Sequence, residues 1–336
     1  MRYFSTGFRL QIYYMIVALC CLTMGAQAVY AQNVKTPMEK VILDTDIGDD
    51  IDDAYALALL IAMPNIKVVG VTTPWGQTQE RAELAVKLLH IMGHDKIPVY
   101  AGRRGEAKIG RQYEWVRQDK AGNNPHTSKT ALPSVQKEDA VTFMKHAFDS
   151  APGEITLIAI GPLVNVGDLI TRFPEVRSKI KRIVIMGGAV HVGYNNQAPP
   201  TPEWNIKCDP IAARAVFTSG VPLTMAGLEA TTMLKFDMER QKRLFAIGTP
   251  MTDAIAALTI LWGNNIPTLF DPMAVAWACG GKFCEEEQKH VVVDDSGMTR
   301  ITDGTPNVTV LINPQADAFL DWYITTLAHG PNGNQK

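Results

Sequence analysis

Short apolar runs rich in β-branched residues alternate with stretches of helical periodicity along most of the chain. Five such runs predict buried parallel strands, KVILDT at 40–45, IKVVGVTT at 66–73, EITLIAI at 154–160, KRIVIMGG at 181–188 and VPLTMAG at 221–227. Four stretches with apolar residues at three-to-four spacing predict helices, at 52–63, 81–93, 163–173 and 210–220. The alternation predicts a single α/β domain with a mostly parallel central sheet flanked by helices.

Polar loops follow four of the predicted strands. They are an acidic cluster after the first strand, TTPWGQT after the second, GPLVN after EITLIAI, and GGAVHVGYNNQAPPTPEWN after KRIVIM. Ligands of parallel sheets bind at the carboxyl ends of the strands, so we expect these loops to converge on one site. The polar stretch from Arg103 to Thr130 has no clear periodicity and is expected to be either a lid or a disordered excursion.

The acidic cluster places six aspartates within ten residues, Asp44, Asp46, Asp49, Asp50, Asp52 and Asp53. Capping and the helix macrodipole account for one or two carboxylates at a helix start, but not for six. Like charges packed so closely require a compensating cation, and carboxylate oxygens suit Ca²⁺ or Mg²⁺. An EF-hand does not fit, because Gly48 falls at position five of a loop counted from Asp44, where glycine is needed at six.

The N-terminal 31 residues differ from the rest. Arg2 and Arg9 precede or flank a long apolar stretch, and small-residue cleavage sites follow at Ala28 and Ala31. We interpret residues 1–31 as a signal peptide and residues 32–336 as the catalytic domain, with an uncleaved membrane anchor as the alternative. The expected location is the periplasm or the medium, without membrane attachment after cleavage.

Charge and cysteine content narrow the function further. Lys and Arg total 32 against 34 Asp and Glu, and loss of the signal leaves 30 against 34, a net charge of about −4. No basic surplus suggests nucleic acid as a partner, so a small molecule is the expected ligand. The remaining cysteines are Cys208, Cys279 and Cys284, which allow at most one internal disulfide and have no zinc-site spacing.

Seven motifs resemble, in order and approximate spacing, the inosine-uridine preferring nucleoside hydrolase family. They are DTDIGDDIDDAYAL, TTPWGQT, GPLVN, RIVIMGGA, EWNIKCDPIAA, SGVPLTMAGLEAT and FDPMAVA, within a match from about Lys40 to the C-terminal helix pattern. The resemblance implies a Ca²⁺-dependent enzyme that hydrolyses the N-glycosidic bond of ribonucleosides to ribose and free base. It also implies a homo-oligomer.

By motif position, the resemblance assigns the Ca²⁺ ligands to Asp46, Asp53, the carbonyl of Ile160 and Asp271. Asp46 would also be the general base that takes a proton from a Ca²⁺-activated water as it attacks the anomeric carbon. This chain has two more residues before its paired aspartates than the commoner family form. The helix phase from Ala54 onward favours Asp52 as the second member of the pair, and alignment on Gly48 would favour Asp50 instead.

The resemblance also implies substrate contacts. The residues assigned to the sugar and its surroundings are Asp52, Gln77, Met186, Asn195, Asn196, Glu203 and Asn205. Glu203 and Asn205 would share one side of an extended segment. Candidates for stacking on the base are Trp75, Trp204 and Phe270, with Trp115 a weaker one.

Phe270 marks a departure from the family, because many members have histidine at this position to protonate the leaving base. A phenyl ring cannot donate a proton. His126, His191 and Tyr194 lie in loops that could reach the site. The base preference is left open by the sequence.

Two other functions remain compatible with these residues. A dehalogenase-like, Mg²⁺-dependent phosphatase would use DTD as nucleophile and acid, Thr72 or Thr73 on the phosphate, and VVVDD at 291–295 as a second metal-binding pair. Phe270 also makes a non-catalytic, Ca²⁺-dependent nucleoside or ribose receptor a reasonable alternative.

Overall fold

An eight-stranded sheet forms the centre of the protein, for which a computed structural model describes residues 38–120 and 132–330. The strands are β1 Glu39–Asp44, β2 Ile66–Thr73, β3 Val99–Ala101, β4 Ile155–Ala159, β5 Arg182–Met186, β6 Leu223–Ala226, β7 Glu285–Lys289 and β10 Val308–Ile312. Their order is β3-β2-β1-β4-β5-β6-β10-β7, and all pairs are parallel except β10 with β7. A separate antiparallel pair joins β8 Val291–Val293 to β9 Thr299–Ile301.

Helices cover both faces of this sheet. They are α1 Asp52–Ala62, α2 Thr78–Ile91, α3 Glu114–Lys120, α4 Ala140–Ser150, α5 Val164–Arg172, α6 Trp204–Cys208, α7 Pro210–Phe217, α8 Leu228–Thr231, α9 Met238–Phe245, α10 Pro250–Trp262, α11 Phe270–Ala278 and α12 Ala316–His329. One apolar core contains side chains of α1, α2, α11 and α12, and the other contains those of α4, α5 and α7. The described residues from Glu39 onward form one compact unit.

The register of the central strands aligns their carboxyl ends. Asp44, the last residue of β1, lies opposite Thr72 on β2 and opposite Ala159 on β4. Every residue of α1 is buried, because its DDAYALALLIA sequence is apolar on all sides after the first turn. The loops after β1, β2, β4 and β5 therefore meet at one edge of the sheet, above buried helices.

The predicted α/β fold with a mostly parallel sheet is confirmed. The strand predicted at 66–73 has those bounds in the structure, the strand predicted at 40–45 is shifted by one residue to 39–44, and the other three predicted strands are shorter by one or two residues at each end. The helix predicted from Arg81 begins earlier, at Thr78. In the described part of the stretch 103–130, a 3₁₀ turn at Arg111–Tyr113 is followed by α3.

The predicted signal peptide, the domain boundary after residue 31 and His126 lie outside the described residues. Within residues 38–120 and 132–330, no helix is long and apolar enough to cross a membrane.

Candidate active site

A cavity of about 250 Å³ opens where the loops converge at the carboxyl ends of the strands. Acidic residues dominate its lining, which consists of Asp46, Asp49, Asp50, Asp52, Asp53, Met186, Tyr194, Glu203, Trp204, Asn205, Phe270 and Asp271. Five of the six aspartates of the β1–α1 region are among them. The cavity thus combines an acidic surface with an aromatic one.

Three carboxylates at this cavity could hold a metal ion. Oxygen atoms of Asp52, Asp53 and Asp271 lie within 4.8 Å of one another, and all three residues are buried. Asp52 and Asp53 form the first turn of α1, and Asp271 lies in the first turn of α11, which packs against α1. The backbone N–H of Asp271 donates to Asp52 Oδ2 at 3.2 Å, so the two helix starts are joined directly.

A hydrogen bond from a neighbouring hydroxyl orients one of these three carboxylates. Thr45 Oγ1 donates to Asp53 Oδ1 at 2.5 Å, which orients the Asp53 carboxylate toward its neighbours. Thr45 is a functional residue that the sequence did not single out. Its position between Asp44 and Asp46 is the available signal, since a hydroxyl next to crowded carboxylates can supply the donor that they need.

The electrostatics of the cavity favour a cation. Burial, followed by repulsion from neighbouring carboxylates, raises the pKa of Asp52, Asp53 and Asp271 well above the ordinary value. These carboxyls come from two distant parts of the chain, so their proximity is a product of the fold. Buried, mutually repelling carboxylates form the donor set expected for a hard divalent cation. The residues present therefore fit a metal site.

Asp46 lies beside this trio and lines the same cavity. Burial raises the pKa of its carboxyl to about 7, with a lowering contribution from the Arg81 charge. Gly161 permits this position, because a Cβ on that residue would lie 2.6 Å from Asp46 Oδ1. The carbonyl of Ile160, predicted as a metal ligand, accepts a hydrogen bond from Asn205 Nδ2 at 3.1 Å.

Glu203 and Asn205 line the cavity, although the segment is not extended as the sequence suggested. Glu203 is the N-cap of the short helix α6, and its carboxylate accepts the backbone N–H groups of Gly188, Asn205 and Ile206. Burial raises its pKa above the ordinary value. The Asn205 amide also donates to the carbonyl of Met186 at 3.1 Å, so both side chains are held rigidly.

Other predicted substrate residues lie outside the cavity lining. Gln77 Oε1 accepts the Ile109 N–H at 3.0 Å, and this bond holds the segment after β3. Asn195 Nδ2 donates to Gln197 Oε1, whereas Asn196 contacts Met233 Sδ at 3.1 Å and Thr232 Oγ1 at 3.3 Å. Their assignments stay predictions, and none of these contacts reaches the cavity.

The aromatic candidates divide in the same way. Trp204 and Phe270 line the cavity. Trp75 contributes its backbone carbonyl to Arg81 Nε at 2.7 Å, and the Trp115 ring lies 4.1 Å from Lys87 Nζ. Nε2 of His191, a candidate proton donor, lies 3.3 Å from Glu287 Oε2, and His191 is not among the residues that line the cavity.

Arg81 is the main residue of this site that the sequence did not single out. Its side chain is fully buried, and it donates to the carbonyls of Trp75, Asp46 and Ile47 and to Asp49 Oδ2 at 2.6 Å. One guanidinium thus connects the loop after β2 with the loop that carries the acidic cluster. Its positive charge lies next to the carboxylate of Asp49, one of the acidic residues that line the cavity.

The segment after β3 is attached to the same acidic loop. Gly110 donates its N–H to Asp49 Oδ1 at 2.8 Å, and Gln112 Nε2 donates to the carbonyl of Asp50 at 2.8 Å. Asp49 therefore bonds to Arg81 with one oxygen and to this segment with the other. These contacts set the position of the cavity wall.

The residues proposed for a phosphatase site do not come together in this fold. Thr72 Oγ1 donates to Asp44 Oδ1 at 2.5 Å, within the buried layer beneath the cavity. Asp294 bonds to Arg300 and Ser296, and Asp295 pairs with Arg214. The VVVDD carboxylates therefore do not join the acidic cluster.

Without divalent cations, we expect the free energy of unfolding to fall by a few kcal/mol as the pH rises from about 4 to about 7. Burial raises the pKa of both Asp44 and Asp46 to about 7 in the folded protein. The unfolded chain loses these protons near pH 4, so between the two values it binds fewer protons than the folded state and unfolding becomes more favourable. Urea unfolding in EDTA at pH 5 and pH 7.5 measures the change.

Asp44→Asn should reduce this slope, because it removes one of the titrating groups. Surface carboxylates such as Asp149, whose pKa is lowered to about 2 by Lys145 and Lys179, act in the opposite sense but below pH 4. Stability that increases from pH 5 to pH 7.5 in EDTA would contradict the expectation.

Comparison with known proteins identifies the class of enzyme to which this fold and site correspond. The family model of inosine-uridine preferring nucleoside hydrolases matches residues 41–321. The chain belongs to this family and is a hydrolase that acts on N-glycosyl bonds of ribonucleosides. The family suggested by the seven motifs is thereby confirmed.

Curated relatives and solved structures agree. The pyrimidine-specific ribonucleoside hydrolases RihA of Shigella boydii serotype 4 and of Escherichia coli K12 are each 32% identical over 306 residues, covering 84% of this chain and 96% of theirs. The plant nucleoside hydrolase PpNRh1 superposes with a TM-score of 0.74 at 27% identity, over 87% of this chain and 99% of its own. A purine-preferring ribonucleoside hydrolase from Gardnerella vaginalis, at 22% identity and a TM-score of 0.72 over 86% and 98% of the two chains, shares the fold.

Proposed function

We propose that this protein is an exported, Ca²⁺-dependent ribonucleoside hydrolase that releases ribose and a free base. The single observation that carries the proposal is the buried group of Asp52, Asp53 and Asp271, whose oxygens lie within 4.8 Å of one another at the floor of a nucleoside hydrolase cavity. Oxygen-only ligands are typical of Ca²⁺. Asp46 and the carbonyl of Ile160 are the further ligands proposed from the family motifs.

The chain's own residues divide the chemistry among them. Asp46 accepts the proton of the attacking water as general base, since its buried carboxylate lines the cavity beside the three metal-capable carboxylates. Positive charge that develops on the ribose during C1′–N cleavage is stabilised by the surrounding carboxylates. Glu203, Asp52 and the amide oxygen of Asn205 accept hydrogen bonds from the sugar hydroxyls. When bound, the cation would polarise the water and offset the carboxylate repulsion.

Chelation is expected to remove activity reversibly. Protein stripped with EGTA should release less than about a tenth of the reducing sugar that untreated protein releases, because water activation and charge balance both depend on the ion. Added CaCl₂ should restore the rate, and calorimetry should show binding of Ca²⁺ to the stripped protein. Full activity in EGTA with no Ca²⁺ bound would contradict the proposed metal.

The choice of substrates comes from the relatives. Because RihA proteins are named pyrimidine-specific, uridine and cytidine head the substrate panel, with inosine, adenosine and guanosine as purine members. Stable nucleoside binding in calorimetry without release of any base would favour the receptor alternative. Such a result would mean that the departing base receives no proton in a site where Phe270 stands in place of histidine.

Export is supported by the apolar segment, the two N-terminal arginines and the small-residue sites at Ala28 and Ala31. We place the mature enzyme in the periplasm or the medium, and in a homo-oligomer as the family resemblance implies. N-terminal sequencing of protein recovered outside the cytoplasm decides between the two cleavage sites. Recovery of only full-length protein in the membrane fraction would favour the anchor.

A further inference from the structure

The cavity contains few groups that could donate a hydrogen bond to a leaving base. Its lining holds seven carboxyl groups, and among the described lining residues only Tyr194, Trp204 and Asn205 carry other donors. The Asn205 amide donates to the carbonyls of Ile160 and Met186, so its N–H groups are already used within the site. Tyr194 and Trp204 are therefore the donors that remain for a ligand.

These two residues lie at the mouth of the cavity. Tyr194 is 45% exposed and Trp204 is 54% exposed, whereas Asp52 and Asp271 are at most 4% exposed. The Tyr194 ring meets Phe270 edge to face with 6.2 Å between ring centroids. If the buried acidic floor holds the sugar, as the proposed function requires, the base occupies this aromatic mouth.

The Tyr194 hydroxyl is held in place with its proton unused. Its oxygen accepts the backbone N–H of Trp204 at 2.8 Å, and within the described part of the chain no acceptor is bonded to its O–H. The preceding loop is fixed because Glu229 Oε1 accepts the N–H groups of Val190, His191 and Val192. A phenol oxygen that accepts one bond directs its own hydrogen elsewhere, and the cavity adjoins it.

We infer that Tyr194 is a catalytic residue of the proposed hydrolase reaction, whose O–H donates a hydrogen bond to the nucleobase as the C1′–N bond breaks. The acceptor is a base carbonyl oxygen or ring nitrogen on which negative charge accumulates. The C1′–O bond to water forms, the water's proton goes to Asp46, and the C1′–N electron pair leaves with the base. The base then takes a proton from solvent at the open mouth.

The environment of Tyr194 agrees with donation of a hydrogen bond rather than of the proton. Burial, then the charge of Glu203, raises the pKa of the Tyr194 phenol above its ordinary value. The phenol therefore stays protonated during turnover, and its O–H is available at every pH at which the enzyme is assayed. This role differs from that of a histidine, which would transfer its proton.

The test compares two leaving groups on the same sugar. Tyr194→Phe should lower kcat/KM for the best ribonucleoside by about 10- to 100-fold, because the donor lost would bond to a developing charge. On 4-nitrophenyl β-D-ribofuranoside, whose nitrophenolate leaves without such help, the loss should be less than about threefold. The ratio of the two rates is independent of the fraction of variant that is folded.

Tyr100→Phe is the matched control, because Tyr100 lies on the edge strand β3 and stacks on Phe143, outside the cavity lining. It should leave both rates unchanged. Equal losses of Tyr194→Phe on both substrates, or no loss on nucleosides, would overturn the inference. Failure of the proposed function is distinguishable, since the wild-type protein would then release no ribose from any nucleoside.

Discussion

Asp46→Asn is expected to lower kcat for ribonucleosides by about 10²–10⁴-fold at saturating Ca²⁺. Asparagine fills the same volume but cannot accept the proton of the attacking water. The carboxylate is buried, its pKa is raised to about 7, and it lies in the cavity next to the metal-capable trio. Steady-state release of reducing sugar measures the loss.

Because Asp46 is also a proposed Ca²⁺ ligand, the two roles need separate readouts. Calorimetric titration of Asp46→Asn with Ca²⁺ reports weakened binding, and the rate at saturating Ca²⁺ reports the missing base. Asp149→Asn is the control, since Asp149 pairs with Lys145 and Lys179 on the surface. An Asp46→Asn enzyme with near wild-type kcat would remove Asp46 from the reaction.

Arg81→Met is expected to destabilise the protein by at least about 3 kcal/mol, because each buried carbonyl left without a donor costs about 1–3 kcal/mol, whereas the partly exposed Asp49 carboxylate adds little. The fully buried guanidinium bonds to three backbone carbonyls and to Asp49, and methionine would leave these acceptors without a donor. Urea unfolding in the presence of Ca²⁺ measures the difference.

Arg104→Met provides the comparison, because Arg104 is half exposed and pairs with Glu80 on the surface. Exposed pairs contribute about 1 kcal/mol or less. Similar unfolding free energies for Arg81→Met and Arg104→Met would show that Arg81 does not hold the acidic loop. Arg81→Lys should fall between wild type and Arg81→Met, since an ammonium supplies fewer donors.

Local sequence pattern predicts the centre of this fold well and its edges poorly. Six of the eight residues of the strand Ile66–Thr73 are β-branched, so its bounds are readable from the sequence. The strand Val99–Ala101 has only three residues, and Glu285–Lys289 has the sequence EEEQK with little burial. Both are strands because a neighbouring strand offers them hydrogen bonds, which no local pattern reveals.

The candidate site shows the same division. Crowding of aspartates after the first strand indicates a cation, but Asp271 lies 219 residues from Asp52 and only the family motifs connect them. Gln77 matches a motif position, yet its amide bonds to the Ile109 backbone. Contacts of this kind depend on the tertiary structure.

The position of Arg81 along its helix is a signal that the sequence itself contains. Arg81 precedes Leu84, Ala85 and Leu88 at the three-, four- and seven-residue spacing of a buried helix face, where a charged residue is unusual. A charged residue in such a phase indicates either a helix end or a buried partner. The structure supplies the partner, which is the acidic loop.

The most direct test of the account is a crystal structure of the protein grown with millimolar CaCl₂ and ribose. We expect one Ca²⁺ ion bound 2.3–2.6 Å from carboxylate oxygens of Asp53 and Asp271, with the sugar hydroxyls beside Asp52. A cavity that holds no ion under these conditions, with the Asp271 carboxylate turned away from Asp53, would contradict it.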